Sequence, residues 1–406
     1  MRFFISGFLA LSLLACSAED TSEVKVADID IGALHNKTLT LDTHVDIPLD
    51  YMKAIDPGTQ TELQVDLGKL DQGRLDAAFY IVYTPQGDLT DTGYETALTI
   101  AQTRMSAIEA YVKQYSDRVA LAKTAGDVRR IVSDGKHAVL VGMENAYPLG
   151  PSTDDLKNWA DRGVRYVGLT HFGHNQFGDS SNLNLQRDKG PRHNGLSDLG
   201  RELIDKLNRY GVLVDLSHAG KETMMQAADY SKTPIIASHS GVKAVADSPR
   251  NVDDEQLRKF RDVGGVVQIV ALDAYVKVYT PEQAEFRNNL RKEMGMETSA
   301  QRGQASAEKR AEYFKRLKGM WDIAPRANVS DLADHIDHAV KVAGIDHVGI
   351  ASDFDGGGGL AGWEDVSLTT NVTEELARRG YSEEDIGKIW GGNLLRVMEA
   401  VESAAQ

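Results

Sequence analysis

Ala78-Phe79-Tyr80-Ile81-Val82-Tyr83 is an unbroken apolar and aromatic run with no polar alternation. A strand with one face in water alternates, whereas a run of this kind belongs to a parallel strand covered on both faces. Ala77–Tyr83, which contains the run, is one of eight candidate strands. The others are Thr38–Thr43, Ala138–Met143, Arg165–Thr170, Val212–Ser217, Pro234–Ser238, Val266–Ala271 and Val348–Ser352. Amphipathic stretches separate them, most clearly Thr96–Tyr115, Leu199–Tyr210, Lys221–Tyr230, Asp254–Val263 and Val329–Val342, and Gly211 and Gly344 follow two of these where helix-ending glycines belong. Eight strand–helix repeats predict an α/β fold of one domain, a (β/α)8 TIM barrel, in preference to a doubly wound sheet.

The chain has 406 residues, 42% hydrophobic and 26% charged, which is ordinary for a globular protein. Its formal charge of −15 argues against nucleic acid as a partner and against nonspecific attraction to an anionic membrane, since both need basic patches. Met1-Arg2 precedes an apolar stretch, Phe3 to Ala15, too short to span a bilayer and placed as a secretory leader. The stretch ends Leu13-Leu14-Ala15-Cys16, which resembles a bacterial lipobox, with Cys16 the only cysteine. Residues 1–15 are therefore read as a lipoprotein signal peptide and 16–30 as a polar tether. Residues 31–406 are read as the folded domain, and the chain is expected to be lipid-anchored in the cell envelope on the periplasmic or extracytoplasmic side. Such use of Cys16 excludes disulfides and thiolate zinc sites in the mature chain.

Five acidic or histidine-bearing clusters sit at the ends of candidate strands. His44 and Asp46 are two apart on the first, so strand periodicity puts both on one face, where one metal can take both. Glu144 ends the third; a buried carboxylate there is costly unless paired, and its two oxygens can bridge two cations. His218 and His239 end the fifth and sixth, each after a serine. A lone histidine is more often structural, but two in equivalent positions on adjacent strands suit zinc. Asp353 ends the eighth strand, which neighbours the first in a closed barrel, and is placed to accept a proton from an activated water and pass it to a leaving amine. Asp355 competes for that role from two residues farther into the loop.

His171, after the fourth strand, is placed to donate a hydrogen bond to an oxyanion, and is preferred over His174 because it lies nearer the strand. Arg250, after the sixth, offers a fork for a substrate carboxylate. His335 and His338, three apart on a helix, read as its polar face, and His35, His137, His193 and His347 receive no role. Gln176 to Ser197 reads as an active-site loop and Gly356 to Gly359 as a flexible turn beside the site. The long segment 281–325 is helix-prone and rich in arginine and lysine. Between the seventh and eighth strands, it should lie over the catalytic rim as a lid or a partner surface, with a solvated helical pair as the alternative.

These residues resemble the membrane (renal-type) dipeptidase family of zinc peptidases. The resemblance is carried by Asp42-Thr43-His44-Val45-Asp46, Gly142-Met143-Glu144, Leu169-Thr170-His171 and Val214-Asp215-Leu216-Ser217-His218. It continues through Ser238-His239-Ser240, Ser248-Pro249-Arg250-Asn251-Val252, Asp353-Phe354-Asp355-Gly356 and Asn393-Leu394-Leu395-Arg396-Val397. It implies two zinc ions per subunit, one on His44 and Asp46, the other on His218 and His239, with Glu144 bridging. It further implies that His171 polarises the scissile carbonyl, Asp353 shuttles the proton, and Arg250, helped by Tyr275, holds the terminal carboxylate. Expected substrates are dipeptides, L-Xaa-L-Xaa and also L-Xaa-D-Xaa, and the family is often a homodimer. The chain departs from the family pattern in the 281–325 insertion and in a basic loop around Gln186–His193. Two rival readings are another binuclear metal amidohydrolase acting on lactams or lactones, and a lipid-anchored peptide-binding protein with two lobes and no strand-end ligands.

Overall fold

The computed structural model describes residues 29–406 except 186, 299–300 and 303–304. The expected leader, Cys16 and most of the tether lie outside the described residues. All eight candidate strands form, as β1 (Leu41–Asp46), β2 (Ala77–Tyr83), β4 (His137–Glu144), β5 (Val164–Gly168), β6 (Leu213–Asp215), β7 (Ile236–Ser240), β8 (Val266–Val270) and β9 (Val348–Ala351). They pair in parallel in that order. The ring closes just beyond β9, where the Asp353 N–H donates to the His44 carbonyl at 3.0 Å and the Asp46 N–H donates to the Phe354 carbonyl at 2.8 Å. A three-residue strand, β3 (Val119–Leu121), pairs with β4 outside the ring. The fold is a (β/α)8 barrel with helices around it.

The apolar runs are buried as their composition requires: every residue of β4 and all but the last of β2 are out of solvent. Leu41, Phe79, Leu140, Tyr166, Leu213, Ile236 and Val266, one from each of seven barrel strands, meet in one apolar cluster that continues into the C-terminal helix Asn393–Ala404. Alternate residues such as Tyr80, Val141 and Val167 join the cluster under the surrounding helices. Gly142 makes room in this interior, because a Cβ there would collide with the Tyr166 ring. The register of β1 is irregular between Asp42 and Val45. This irregularity moves the inward positions from Leu41 to His44 and Asp46 while Val45 packs outward.

The predicted helices form as Asp91–Gln114, Asp198–Tyr210, Lys221–Tyr230, Asp254–Asp262 and Val329–Ala343. Gly211 ends the second with a left-handed φ of 66°. Asn393 donates to the carbonyls of Ile345 and Val348, and Arg396 to those of Gly264 and Asp346, so that motif ties the C-terminal helix to the loops entering β8 and β9. The insertion forms the helices Pro281–Glu293 and Ala307–Leu317. No helix among the described residues is long and apolar enough to cross a membrane.

Candidate metal centre

The five strand-end clusters converge. Glu144 is buried, and its two oxygens face different partners. Oε1 lies 2.9 Å from His218 Nε2 and 3.3 Å from His239 Nε2, and Oε2 lies 3.7 Å from His44 Nε2. Asp46 Oδ2 and Asp353 Oδ1 stand 3.6 Å and 3.9 Å from the same His44 nitrogen. His171 Nε2 is 3.7 Å from Glu144 Oε1. Three overlapping groups could each hold a cation: His44, Glu144 and His239; Glu144, His171 and His218; and His44, Asp46 and Asp353. The carboxylate expected to bridge therefore has one oxygen toward each half of the cluster.

Burial and charge oppose each other here. Burial would lower the His44 imidazole, but the charges of Glu144 and Asp46 outweigh it and hold the group well above its ordinary range. Burial also disfavours the Glu144 anion, yet His171, His44, His218 and His239 keep its carboxyl well below the usual range. His218 and His239 are held well below theirs, first by burial. For Asp353, burial, reinforced by Asp46 and Glu144, pushes the carboxyl well up.

The donor set fits divalent cations. His44 Nε2 is fully buried with no hydrogen-bond partner among the described residues. The Nε2 atoms of His218 and His239 stand 2.9 Å apart and share Glu144 Oε1. Supporting bonds fix which ring nitrogen is bare. The Tyr166 hydroxyl lies 3.2 Å from the Thr43 carbonyl and 2.9 Å from His44 Nδ1. Donating its own hydrogen to Thr43, it accepts from Nδ1–H, so that Nε2 is the nitrogen that faces the carboxylates and would exchange its proton for a cation. On the other side the Ser238 hydroxyl bonds Asp215 Oδ2 at 2.8 Å and touches His239 Nδ1 at 2.9 Å, which similarly orients that ring.

Of the other predicted residues, some stand beside this cluster and others make structural contacts away from it. His171 stacks on Phe172 and meets the edge of Tyr83, with ring centroids 4.5 Å and 4.9 Å away. Arg250 is 3% exposed; Nη1 donates to Ser240 Oγ at 2.9 Å and Nη2 to the His239 carbonyl at 2.7 Å, while Nε has no partner among the described residues. Its guanidinium sits over the Tyr275 ring at 5.6 Å. Asp355 is removed from the chemistry: its oxygens accept the N–H groups of Gln64 and Val65 at 2.9 Å and 3.3 Å. A Cβ on Gly356 would collide with Asp46 and Asp353, so the glycine is required for close approach. His335 bonds the Val242 N–H and the Val276 carbonyl, His338 pairs with Asp254, and His174 braces the Gln176–Ser197 loop through the Ser180 N–H and Gly190 carbonyl.

Sequence reasoning missed four contributors: Tyr166, Asp215, Tyr83 and Arg104. Arg104 is buried, donates to the carbonyls of Ile47 and Tyr83 at 3.0 Å and 2.9 Å, and lines the same cleft as Asp46. A signal existed, since Arg104 interrupts the apolar stripe Ala97, Ala101, Ile108, Tyr111 of its helix. The cleft, about 1440 Å³, is lined by Glu144, His171, His218, His239 and Asp353 at its base. Asn182 to Leu185 and many insertion residues line the same cleft, as expected of a segment over the rim.

The sequence profile of the membrane dipeptidases (Peptidase family M19) matches residues 29–406. The chain belongs to the membrane dipeptidase family. It is thereby an enzyme, a hydrolase of the dipeptidase class. Among similar proteins, dipeptidase tcpJ of Claviceps purpurea (strain 20.1) is 33% identical over 346 residues, covering 84% of this chain and 70% of its own. Dipeptidase verJ of Clonostachys rogersoniana is 31% identical over 380 residues, covering 90% and 84%. The crystal structure of the "probable dipeptidase PvdM" from Pseudomonas aeruginosa superposes with a TM-score of 0.82 at 34% identity, over 92% of this chain and 98% of that one. A metallopeptidase from Rhodobacter sphaeroides, solved with a phosphinate mimic of L-Ala-D-Ala, shares the fold at 23% identity and a TM-score of 0.68, over 90% and 99%.

Proposed function

We propose that this member is a two-zinc exopeptidase that cleaves L-Xaa-L-Xaa and L-Xaa-D-Xaa dipeptides. The observation that carries the reading is the split of Glu144, one oxygen toward His218 and His239 and the other toward His44. His44 and Asp46 would hold one cation, His218 and His239 the other, with Glu144 shared. Bound there, divalent cations supply Lewis acidity that lowers the pKa of water toward about 7 and offsets charge on a developing oxyanion.

The chain's own residues do the rest. Asp353, beside His44 and fixed by ring closure, accepts the proton of the attacking water and returns it to the departing amine. Burial keeps His171 below its ordinary pKa, so it stays neutral and offers a ring N–H to the oxyanion. Arg250 has two of its five N–H groups engaged by Ser240 and His239, which fixes the fork, and Nε is bare. That arrangement supports a clamp for a carboxylate near the scissile bond, with Tyr275 stacked on the guanidinium, and hence a preference for dipeptides over longer chains. The test compares wild type and Arg250→Ala on a panel of L,L and L,D dipeptides and their C-terminal amides. Loss of the preference for the free acid in the variant supports the clamp; unchanged preference removes it.

The same proposal places the enzyme in the cell envelope, lipid-anchored through Cys16, and as a homodimer. Cys16→Ser should release the protein from the membrane fraction, and sedimentation of the soluble domain reports the subunit number.

A further inference from the structure

The insertion presents several arginines to the cleft and most of its acids to solvent. Its seven acidic side chains, Glu282, Glu285, Glu293, Glu297, Glu308, Glu312 and Asp322, are all exposed, and only Glu297 and Glu308 among them also line the cleft. Arg287, Arg291 and Arg310 are half-buried and line the same cleft as Glu144 and His171. None of these three forms an ion pair among the described residues, whereas Arg316 on the outer side of the same insertion takes both oxygens of Glu293 at 2.9 Å and 2.7 Å. Two of them meet tyrosines instead: Arg287 lies over the Tyr279 ring at 4.8 Å, and Arg291 Nε donates to Tyr313 Oη at 3.2 Å. Arg287 Nε is buried without a hydrogen-bond partner.

Half-buried guanidinium groups without counter-ions repel one another and lose hydration, so folding alone gives no reason to gather them. Burial and the charge of Arg291 together lower Arg287 from its ordinary range. Tyr275 and Arg104 line the same cleft as these three arginines. A substrate seated on Glu144 and His171 thus has this cationic wall above it, in a chain whose overall charge is −15. The cleft is also larger than a simple dipeptide needs, which leaves room for a long side chain to reach the wall.

We propose that Arg287, Arg291 and Arg310 form an anion-selecting wall, and that the preferred substrates are dipeptides with a second carboxylate on an aspartyl or glutamyl side chain. The proposal rests on the dipeptidase reading and deepens it. Glutamate and glutamine have the same shape, so their comparison isolates charge.

The experiment measures kcat/KM of the metal-replete enzyme on Ala-Glu against Ala-Gln and on Glu-Ala against Gln-Ala, at low and at about 0.5 M salt. The expected result is a preference of about tenfold for the acid in at least one pair, expressed mainly in KM and shrinking in high salt. The triple variant Arg287→Gln, Arg291→Gln, Arg310→Gln should bring that ratio close to one, and the corresponding lysine variant should restore part of it. Turnover of the neutral dipeptides with no advantage for the acids overturns this inference alone. So does a preference that survives the triple glutamine variant. No turnover of any of the four overturns the dipeptidase reading together with it. The wild-type salt dependence decides the matter even if the variants fail to fold.

Discussion

His218 and His239 place their Nε2 atoms 2.9 Å apart, with the same oxygen of Glu144 within 3.3 Å of both. Two imidazole lone pairs and a carboxylate crowded together in a buried site are stabilised by a cation between them. Zinc should therefore stabilise the chelator-treated protein. At a free concentration one hundred times Kd the gain is about 2.7 kcal/mol, a rise in Tm on the order of 5 °C. Thermal unfolding with and without added zinc checks this, and His218→Ala should lose most of the shift.

Tyr166→Phe removes the hydroxyl that holds His44 in the tautomer with a bare Nε2, but keeps the ring against Phe79. Zinc affinity should fall by about 10- to 100-fold with little change in unfolding temperature of the metal-free protein. Competition with a chromogenic chelator measures it.

Asp353→Asn leaves shape intact and deletes the proton carrier. Turnover should fall by about 100- to 10,000-fold while zinc content and KM for a dipeptide stay near wild type. Asp355→Asn, by contrast, should show its effect mainly on stability, because its oxygens serve the Gln64 and Val65 N–H groups.

His137 supplies a pH dependence remote from the cluster. It bonds the Leu75 carbonyl at 2.9 Å and lies 3.3 Å from Tyr80 Oη, and burial lowers its pKa to about 4 from 6.5. Between those values the unfolded chain binds a proton that the folded chain refuses. The stability is therefore complete above about pH 6.5 and is lost as pH falls toward 4, by about 3 kcal/mol. His137→Gln should flatten that part of the curve relative to wild type in urea titrations at stepped pH.

The strands were legible because both their faces are covered, which leaves uninterrupted runs such as Ala78 to Tyr83. β3 was not legible: Val119-Ala120-Leu121 is too short to stand out from the helices flanking it. The residues that converge as a candidate metal cluster were readable from position, since each stands where an apolar run ends. Their supports were hidden for the opposite reason. Tyr166 lies inside such a run and looks like core, and only the fold brings its hydroxyl under His44. The left-handed turn at His218, with φ of 64°, has no sequence signature in a non-glycine residue, yet it helps aim the ring at Glu144. The arginines of the insertion were visible as composition, but which of them face the cleft depends on helix packing that composition does not encode.

Metal content measured alongside dipeptide turnover bears most directly on the two-cation account. Purified protein should carry about two zinc equivalents per chain, lose activity as chelation removes them, and recover it on adding zinc, with Glu144→Ala failing at both retention and recovery. Undiminished dipeptide hydrolysis by protein holding less than about a tenth of an equivalent of any divalent metal would contradict it.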